Sequence, residues 1–232
     1  MPNRWLPITV LSLLIFGLGY AIVSLSVGEK GPHPIQIEGT GDVQELVGGI
    51  HQLDDRLGDD DAPISMTLFQ DVQCPRCADF QADVIDPIIN DYVRTGEVQI
   101  NWRNFPLGLK PVTLGAIAVE AAAEQDHGWQ YAELFMRNLD EVPEHGVDQE
   151  YLDQVASVTP KLDTAAWEEA YDAASPDSDA AASAQEDVDL ATDLRLPADP
   201  ILVVENSATG ESETLEDVPS LEDVQAAIER LR

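Results

Sequence analysis

Both cysteines of this 232-residue chain stand in one short stretch, "DVQCPRCADF", residues 71–80. Cys74 and Cys77 are separated by two residues and follow directly on "ISMTLFQ" (64–70), a short apolar run that reads as a strand. Beyond them Phe80, Val84, Ile88 and Tyr92 recur at near-helical spacing, so a helix opens at the pair, and Gly96 ends it. Pro87 lies inside that run, and a kink or break is expected there, because proline removes a donor and crowds the preceding turn. In a first helical turn, residues i and i+3 lie about 5 Å apart, within the Cα range of a disulfide. Three readings are open at this point: a redox-active disulfide, half of a soft-metal site, or a structural staple. A bond closing so small a loop constrains the unfolded chain little, so it would be a poor staple.

The placement favours the first cysteine as a nucleophile. A helix N-terminus presents unpaired N–H groups and about half a positive charge, which stabilise a thiolate. Pro75 at an early helical position costs no hydrogen bond, and Arg76 adds a full positive charge. Cys77, one turn in, is expected to be the more buried. Cys74 is then the attacking thiol, and Cys77 resolves the mixed disulfide.

The remainder of the chain orders itself around this unit. Residues 43–57 read as a lead-in packed on the domain, and "GDDDAP" as a turn. "EVQINWRNF" (97–105) alternates Val98, Ile100 and Trp102 with polar residues, as a strand does. From Thr113 to Leu194 the sequence is alanine-rich and repeats its apolar positions at three and four, which predicts helices only. "ILVVEN" (201–206), the turn "SATG" and "ESETLE" predict a hairpin. The last segment predicts a helix with Ser220 as N-cap and Asp223 at the capping-box position. A βαβ unit, a helical block, a hairpin and a final helix make one mixed sheet with helices on its faces. Pro200 stands just before the strand at 201, where it cannot be a ladder donor, and the Asp199–Pro200 bond is a candidate cis peptide.

Charge and the N-terminus bound the setting. The chain carries 44 acidic and 12 basic residues, net −32, a surface that repels nucleic acid and anionic lipid. Such acidity suits solubility outside the cytoplasm or adaptation to high salt. Residues 5–27 hold no charged side chain, long enough to span about 30 Å of hydrocarbon as a helix. With Arg4 before it, residues 1–4 are expected as a cytoplasmic stub, 5–27 as an uncleaved transmembrane anchor and 28–58 as an extracytoplasmic tether and lead-in. Residues 59–232 then form the α/β domain, with the helical insertion at about 112–194. A cleaved signal peptide is the competing view, but its apolar region would be shorter and "SLSVGEK" is a poor cleavage site. On either view the domain is exported, where disulfides persist.

A CPxC motif after a strand, with Asp71 three residues before it and a proline-led strand downstream, resembles the DsbA-like thiol–disulfide oxidoreductases, which have a thioredoxin fold with a helical insertion. The resemblance runs over about residues 49–205, through "DVQCPRCADF", "YVRTGEVQINWRNFPL", "AIAVEAAAEQDHGWQYAELF" and "ATDLRLPADPILVV". It implies that Cys74 is the nucleophile, Cys77 the resolving cysteine and Pro200 the cis-proline that shapes the substrate groove. It gives Asp71 two roles, proton movement at Cys77 or capping of the loop. The partners implied are exported protein thiols or disulfides and a membrane redox partner; no cofactor is implied. In this chain the intervening dipeptide is Pro75-Arg76 where DsbA has Pro-His, and Asp199 replaces a small or β-branched neutral residue. If both face Cys74 they oppose each other, each by at most about 3 kcal/mol at about 6 Å and a dielectric near 20. Arg76 favours an oxidant, Asp199 a reductant.

The reading is therefore a single-pass, membrane-anchored oxidoreductase of exported proteins, acting as a dithiol oxidase and as a monomer, since no added dimerisation domain is visible. The alternatives are a reductase or isomerase of the same fold, a Cu(I)-binding module, and an inert interaction domain. The four histidines, His33, His51, His127 and His145, have no ligand spacing to the cysteines, so no metal site is expected. The acidic run from Asp177 to Asp193 reads as a solvated helix face.

Overall fold

Seven residues of unbroken β-forming sequence, Ile64–Gln70, lie at the centre of a six-stranded sheet whose strand order is β1-β2-β4-β3-β5-β6. The computed structural model describes residues 34–105, 112–171, 178–197 and 200–232, and Ile35–Arg232 form one compact unit. The strands are β1 (Gln52–Leu53), β2 (Arg56–Leu57), β3 (Ile64–Gln70), β4 (Val98–Asn104), β5 (Ile201–Asn206) and β6 (Ser212–Leu215). β3 and β4 pair in parallel from Ile64↔Val98 to Gln70↔Asn104; all other pairs are antiparallel. The β3–helix–β4 crossover and the β5–β6 hairpin are the two halves expected from the sequence. The two-residue β1 and β2, inside the predicted lead-in, extend the sheet beyond β4.

The pleat sorts side chains by parity. Ile64, Met66 and Leu68 of β3, Val98, Ile100 and Trp102 of β4, and Leu202 and Val204 of β5 enter the main core. Phe69 and Ile201 join Phe105 and Ala191 in a smaller cluster. Gly58, at φ +118°, allows β2 to enter the sheet: a Cβ there would stand 2.9 Å from the carbonyl oxygen of Val98.

The helices are α1 (Thr40–Val47), α2 (Pro75–Phe80), α3 (Asp86–Ile88), α4 (Leu114–Ala123), α5 (Gly128–Arg137), α6 (Gln149–Val158), α7 (Thr164–Tyr171), α8 (Asp179–Asp193) and α9 (Leu221–Leu231). α2 and α3 belong to one helical run from Pro75 to Val93, with π turns at Gln81–Ile85 and Ile89–Val93. Pro87 therefore does not break the helix. The widened turn before it, in which Asp86 N–H donates to Gln81 O five residues back, makes room for a ring that would collide with an ordinary α turn. α4 to α8 form the helical block between β4 and β5, packed through stacked Tyr131, Trp167 and Tyr171. α9 starts with the expected Ser220–Asp223 capping box. No helix among the described residues is long and apolar enough to cross a membrane; the span predicted at 5–27 lies outside the described residues.

Candidate functional site

Cys74 is the N-cap of α2, extended at φ −94° and ψ 116°, and its Sγ accepts from the Cys77 backbone N–H at 3.3 Å. Pro75 takes the first helical position. Backbone N–H groups of Cys77 and Ala78 both donate to Cys74 O at 3.0 Å, so the first turn is wound around the nucleophile candidate. The sulfur thus faces an N–H donor at the positive end of a helix, an arrangement that favours a thiolate. Cys74 is 4% exposed and Cys77 fully buried, the order expected. Arg76 is exposed.

The loop in front of the pair is held from two sides. Asp71 Oδ1 accepts from Gln73 N–H at 2.9 Å, and Asp71 O accepts from Cys74 N–H at 3.1 Å, so Asp71 closes the turn that delivers the cysteine. Gln73 Oε1 in turn accepts from Gly115 N–H at 3.0 Å at the start of α4, tying the helical block to the cysteine loop. Only glycine fits this contact without displacement, since a Cβ at Gly115 would lie 2.8 Å from Gln73 Oε1 and Val72 Cγ1. Gln73 and Gly115 were not singled out from the sequence, because a glutamine before a cysteine carries no signal of its own.

Pro200 is buried and immediately precedes β5. The register Phe69↔Ile201, carried one step further, sets Pro200 beside Gln70, at the sheet end from which the cysteine loop leaves. Asp199 lies outside the described residues.

Two groups of buried carboxylates flank the end of the central strands, and sequence reading passed over both. In the first, Arg103 pairs with Asp55 at 2.8 Å and Asp187 at 3.1 Å. Asp187 also accepts from Asn104 N–H at 2.8 Å, and Asn104 Nδ2 donates to Glu120. Burial raises the carboxyls of Asp55 and Glu120 above the ordinary range and pushes Asp187 up to about 6, against the pull of Arg103. A cavity of about 480 Å³ lies beside this group, lined by Asp54, Asp55, Glu120, Glu186 and Asp187 among others. Asp187 departs from the solvated acidic face expected over residues 177–193: it is 2% exposed, held inward by Arg103 and Asn104. In the second group Glu133 accepts from Gln81 Nε2 at 2.7 Å and from Arg137 Nε at 3.1 Å, and Arg137 also pairs with Asp86. Burial, and then the charge of Asp86, push Glu133 up to about 8. Among the described residues no three His, Cys, Asp or Glu side chains are grouped to hold a metal ion.

Known proteins share this architecture. The thioredoxin family model matches residues 52–229. A Bacillus anthracis protein named as a probable disulfide bond formation protein D is 34% identical over 110 residues, 46% of this chain and 51% of that protein. The disulfide bond formation protein D of Bacillus subtilis is 27% identical over 150 residues, 64% of this chain and 66% of that protein. The chain thus matches about half the length of the first of these curated relatives. Among solved structures, oxidised BdbD from Bacillus subtilis superposes with a TM-score of 0.61 at 23% identity, over 78% of this chain and 96% of that one. Wolbachia pipientis alpha-DsbA1 superposes with a TM-score of 0.64 at 23% identity, over 77% and 90%. At that identity the structural likeness establishes the fold.

Proposed function

This chain belongs to the thioredoxin family, and from that premise we propose that it is a thiol–disulfide oxidoreductase of the DsbA type, acting on exported proteins through Cys74 and Cys77. The observation that carries the reading is the position of Cys74: at the N-cap of the helix after the central strand, its sulfur receiving the Cys77 N–H. The names of the Bacillus relatives support the same chemistry.

In the oxidising direction a substrate thiolate attacks Cys74 Sγ, the Cys74–Cys77 bond breaks, and Cys77 leaves as a thiolate that takes a proton. The second substrate thiol then attacks the mixed disulfide, and Cys74 leaves as a thiolate stabilised by the helix N-terminus. Asp71 shapes the turn before the pair, Arg76 adds positive charge, and Pro200 borders the groove where the substrate backbone lies. A membrane redox partner reoxidises the pair, and residues 5–27 hold the domain at the outer face of the membrane as a monomer.

Trapping tests this reading. Cys77→Ala leaves an attacking thiol with no resolving partner, so a mixed disulfide with a reduced test protein accumulates. Cys74→Ala should give none; a covalent adduct formed through Cys77 in that variant would reverse the assignment.

A further inference from the structure

Gln73 stands directly before Cys74, and its side-chain amide is committed at one half only. Its backbone N–H donates to Asp71 Oδ1 at 2.9 Å, and its Oε1 accepts from Gly115 N–H at 3.0 Å. That N–H belongs to the first turn of α4, where a helix leaves its amides without partners of its own. The next one, Ala116 N–H, donates to the Thr113 hydroxyl at 3.2 Å, so Gln73 completes the cap from a distant part of the chain. The packing is close: a Cβ at Gly115 would also stand 3.0 Å from Gln73 Cγ. A carboxamide has an acceptor half and a donor half, and only the acceptor can meet a backbone N–H. With Oε1 turned to Gly115, the donor half is the one left over. Gln73 is half-buried, and its Nε2, which donates to no described residue, keeps contact with solvent. Gly115 is buried and Leu114 before it is 40% exposed, so the amide reaches from the interior to the rim of the cysteine loop. Capping alone does not call for glutamine. A glutamate would accept the same N–H, but would set a charge against the Cys74 thiolate and carry no donor; glutamine is neutral and keeps N–H groups facing out.

We propose that Gln73 is a substrate-binding residue: its Nε2 donates to a main-chain carbonyl of the polypeptide segment whose thiol attacks Cys74. This rests on the oxidoreductase reading. The attacking sulfur must reach Cys74 Sγ, which brings the main chain of the substrate cysteine alongside the loop that ends at Gln73. Its carbonyls lose water there, and each one left without a donor costs binding. Every polypeptide carries such carbonyls, so the contact selects polypeptide thiols over small thiols without selecting a sequence. Gly115 holds the amide by its oxygen, so the donor is oriented before the substrate arrives, and binding does not have to order a long flexible side chain. The exchange at sulfur stays as described, and Gln73 takes up no proton in it.

The test compares two reductants of the oxidised full chain: a neutral cysteine peptide with blocked ends, and 2-mercaptoethanol, which has no main chain. For wild type, Gln73→Glu and Gln73→Met, the rate constants for loss of the Cys74–Cys77 disulfide are read by alkylation and mass spectrometry. Gln73→Glu keeps the acceptor for Gly115 and loses the donor; Gln73→Met keeps the length and loses both. A change in the reactivity of the cysteine pair itself, including that from the added negative charge, acts on both reductants and cancels in the ratio of their rates. The peptide-to-mercaptoethanol ratio should fall about threefold to tenfold in both variants, the range of one neutral hydrogen bond. A wild-type ratio in either variant would leave Gln73 as a helix cap and overturn this inference alone. If Gln73→Met does not fold, Gln73→Glu, which keeps the cap, decides by itself. No reaction of wild type with either reductant would overturn the functional reading and this inference with it.

Discussion

The two buried carboxylate groups start from neighbouring positions, Asn104 and Gln70, paired in register at the ends of β4 and β3, yet they are built differently. Around Asn104 the network closes on itself: Arg103 sits among Asp55, Asp187 and Glu120, and the amide of Asn104 bonds Glu120 and Asp187 and accepts from Trp102 Nε1. It joins β4 to α4 and α8. Around Gln70 the network is open-ended: Arg137 holds Glu133 and Asp86 at one end, and two amides lead from there to the end of the strand that precedes the cysteines. A closed group with an internal cation holds elements together. An open one ties the helical block to the strand before the cysteine loop and to the helical run after it.

The largest contrast is expected from the arginine of the closed group. Arg103→Ala leaves three inward carboxylates without their cation, and should cost about 3–5 kcal/mol of stability at neutral pH, read by denaturant unfolding. A loss under about 1 kcal/mol would mean that the group neutralises itself by protonation and holds little. The amide hubs should separate next. Asn104→Leu, which loses bonds to Trp102, Glu120 and Asp187, should cost about 2–3 kcal/mol, whereas Gln81→Leu should cost about 1–2 kcal/mol. If Gln81→Leu costs as much as Asn104→Leu, the contrast between the groups fails.

The pH dependence of stability distinguishes the groups more finely. A carboxyl raised on folding binds more protons in the native state than in the unfolded one, so stability is fully present below the unfolded pKa and falls as pH rises to the folded value. For Asp187 that window runs from 3.8 to about 6, and for Glu133 from 4.5 to about 8. Asp187→Asn should therefore flatten the decline on the acid side of pH 6, and Glu133→Gln the part that continues to pH 8. The smallest effect should be common to both groups. With a net charge of −32, much of it on the surface, the melting temperature should rise with added salt as repulsion is screened. A melting temperature indifferent to salt between low and molar concentrations would assign the acidity to solubility alone.

How much of this was legible in the sequence depends on how local the signal is. β3, the opening of the helix at Cys74 and the capping box at Ser220 rest on residues within a few positions of one another, and they stand where the pattern put them. β1 and β2 were not legible, because two residues each carry no alternation to read. The continuity through Pro87 depends on a widened turn that spacing does not reveal. The buried acids were missed because an acid in an alanine-rich helix reads as solvated, and their partners are distant: Asp187 meets Arg103 across 84 positions and Glu133 meets Gln81 across 52. A signal was present all the same. Glu133 stands in a helix buried on every side from Gly128 to Met136, and its neighbours Ala132, Leu134, Phe135 and Met136 already left that glutamate no solvated face.

The central claim, that Cys74 and Cys77 form an exchanging pair poised to oxidise, is tested most directly by the reduction potential of the full chain equilibrated with glutathione. The account predicts exchange, with a potential above about −180 mV, as the helix N-terminus and Arg76 together favour the thiolate of the reduced form. A potential near or below about −250 mV would contradict the oxidising direction and make the protein a reductase, and the absence of any exchange would contradict the account as a whole.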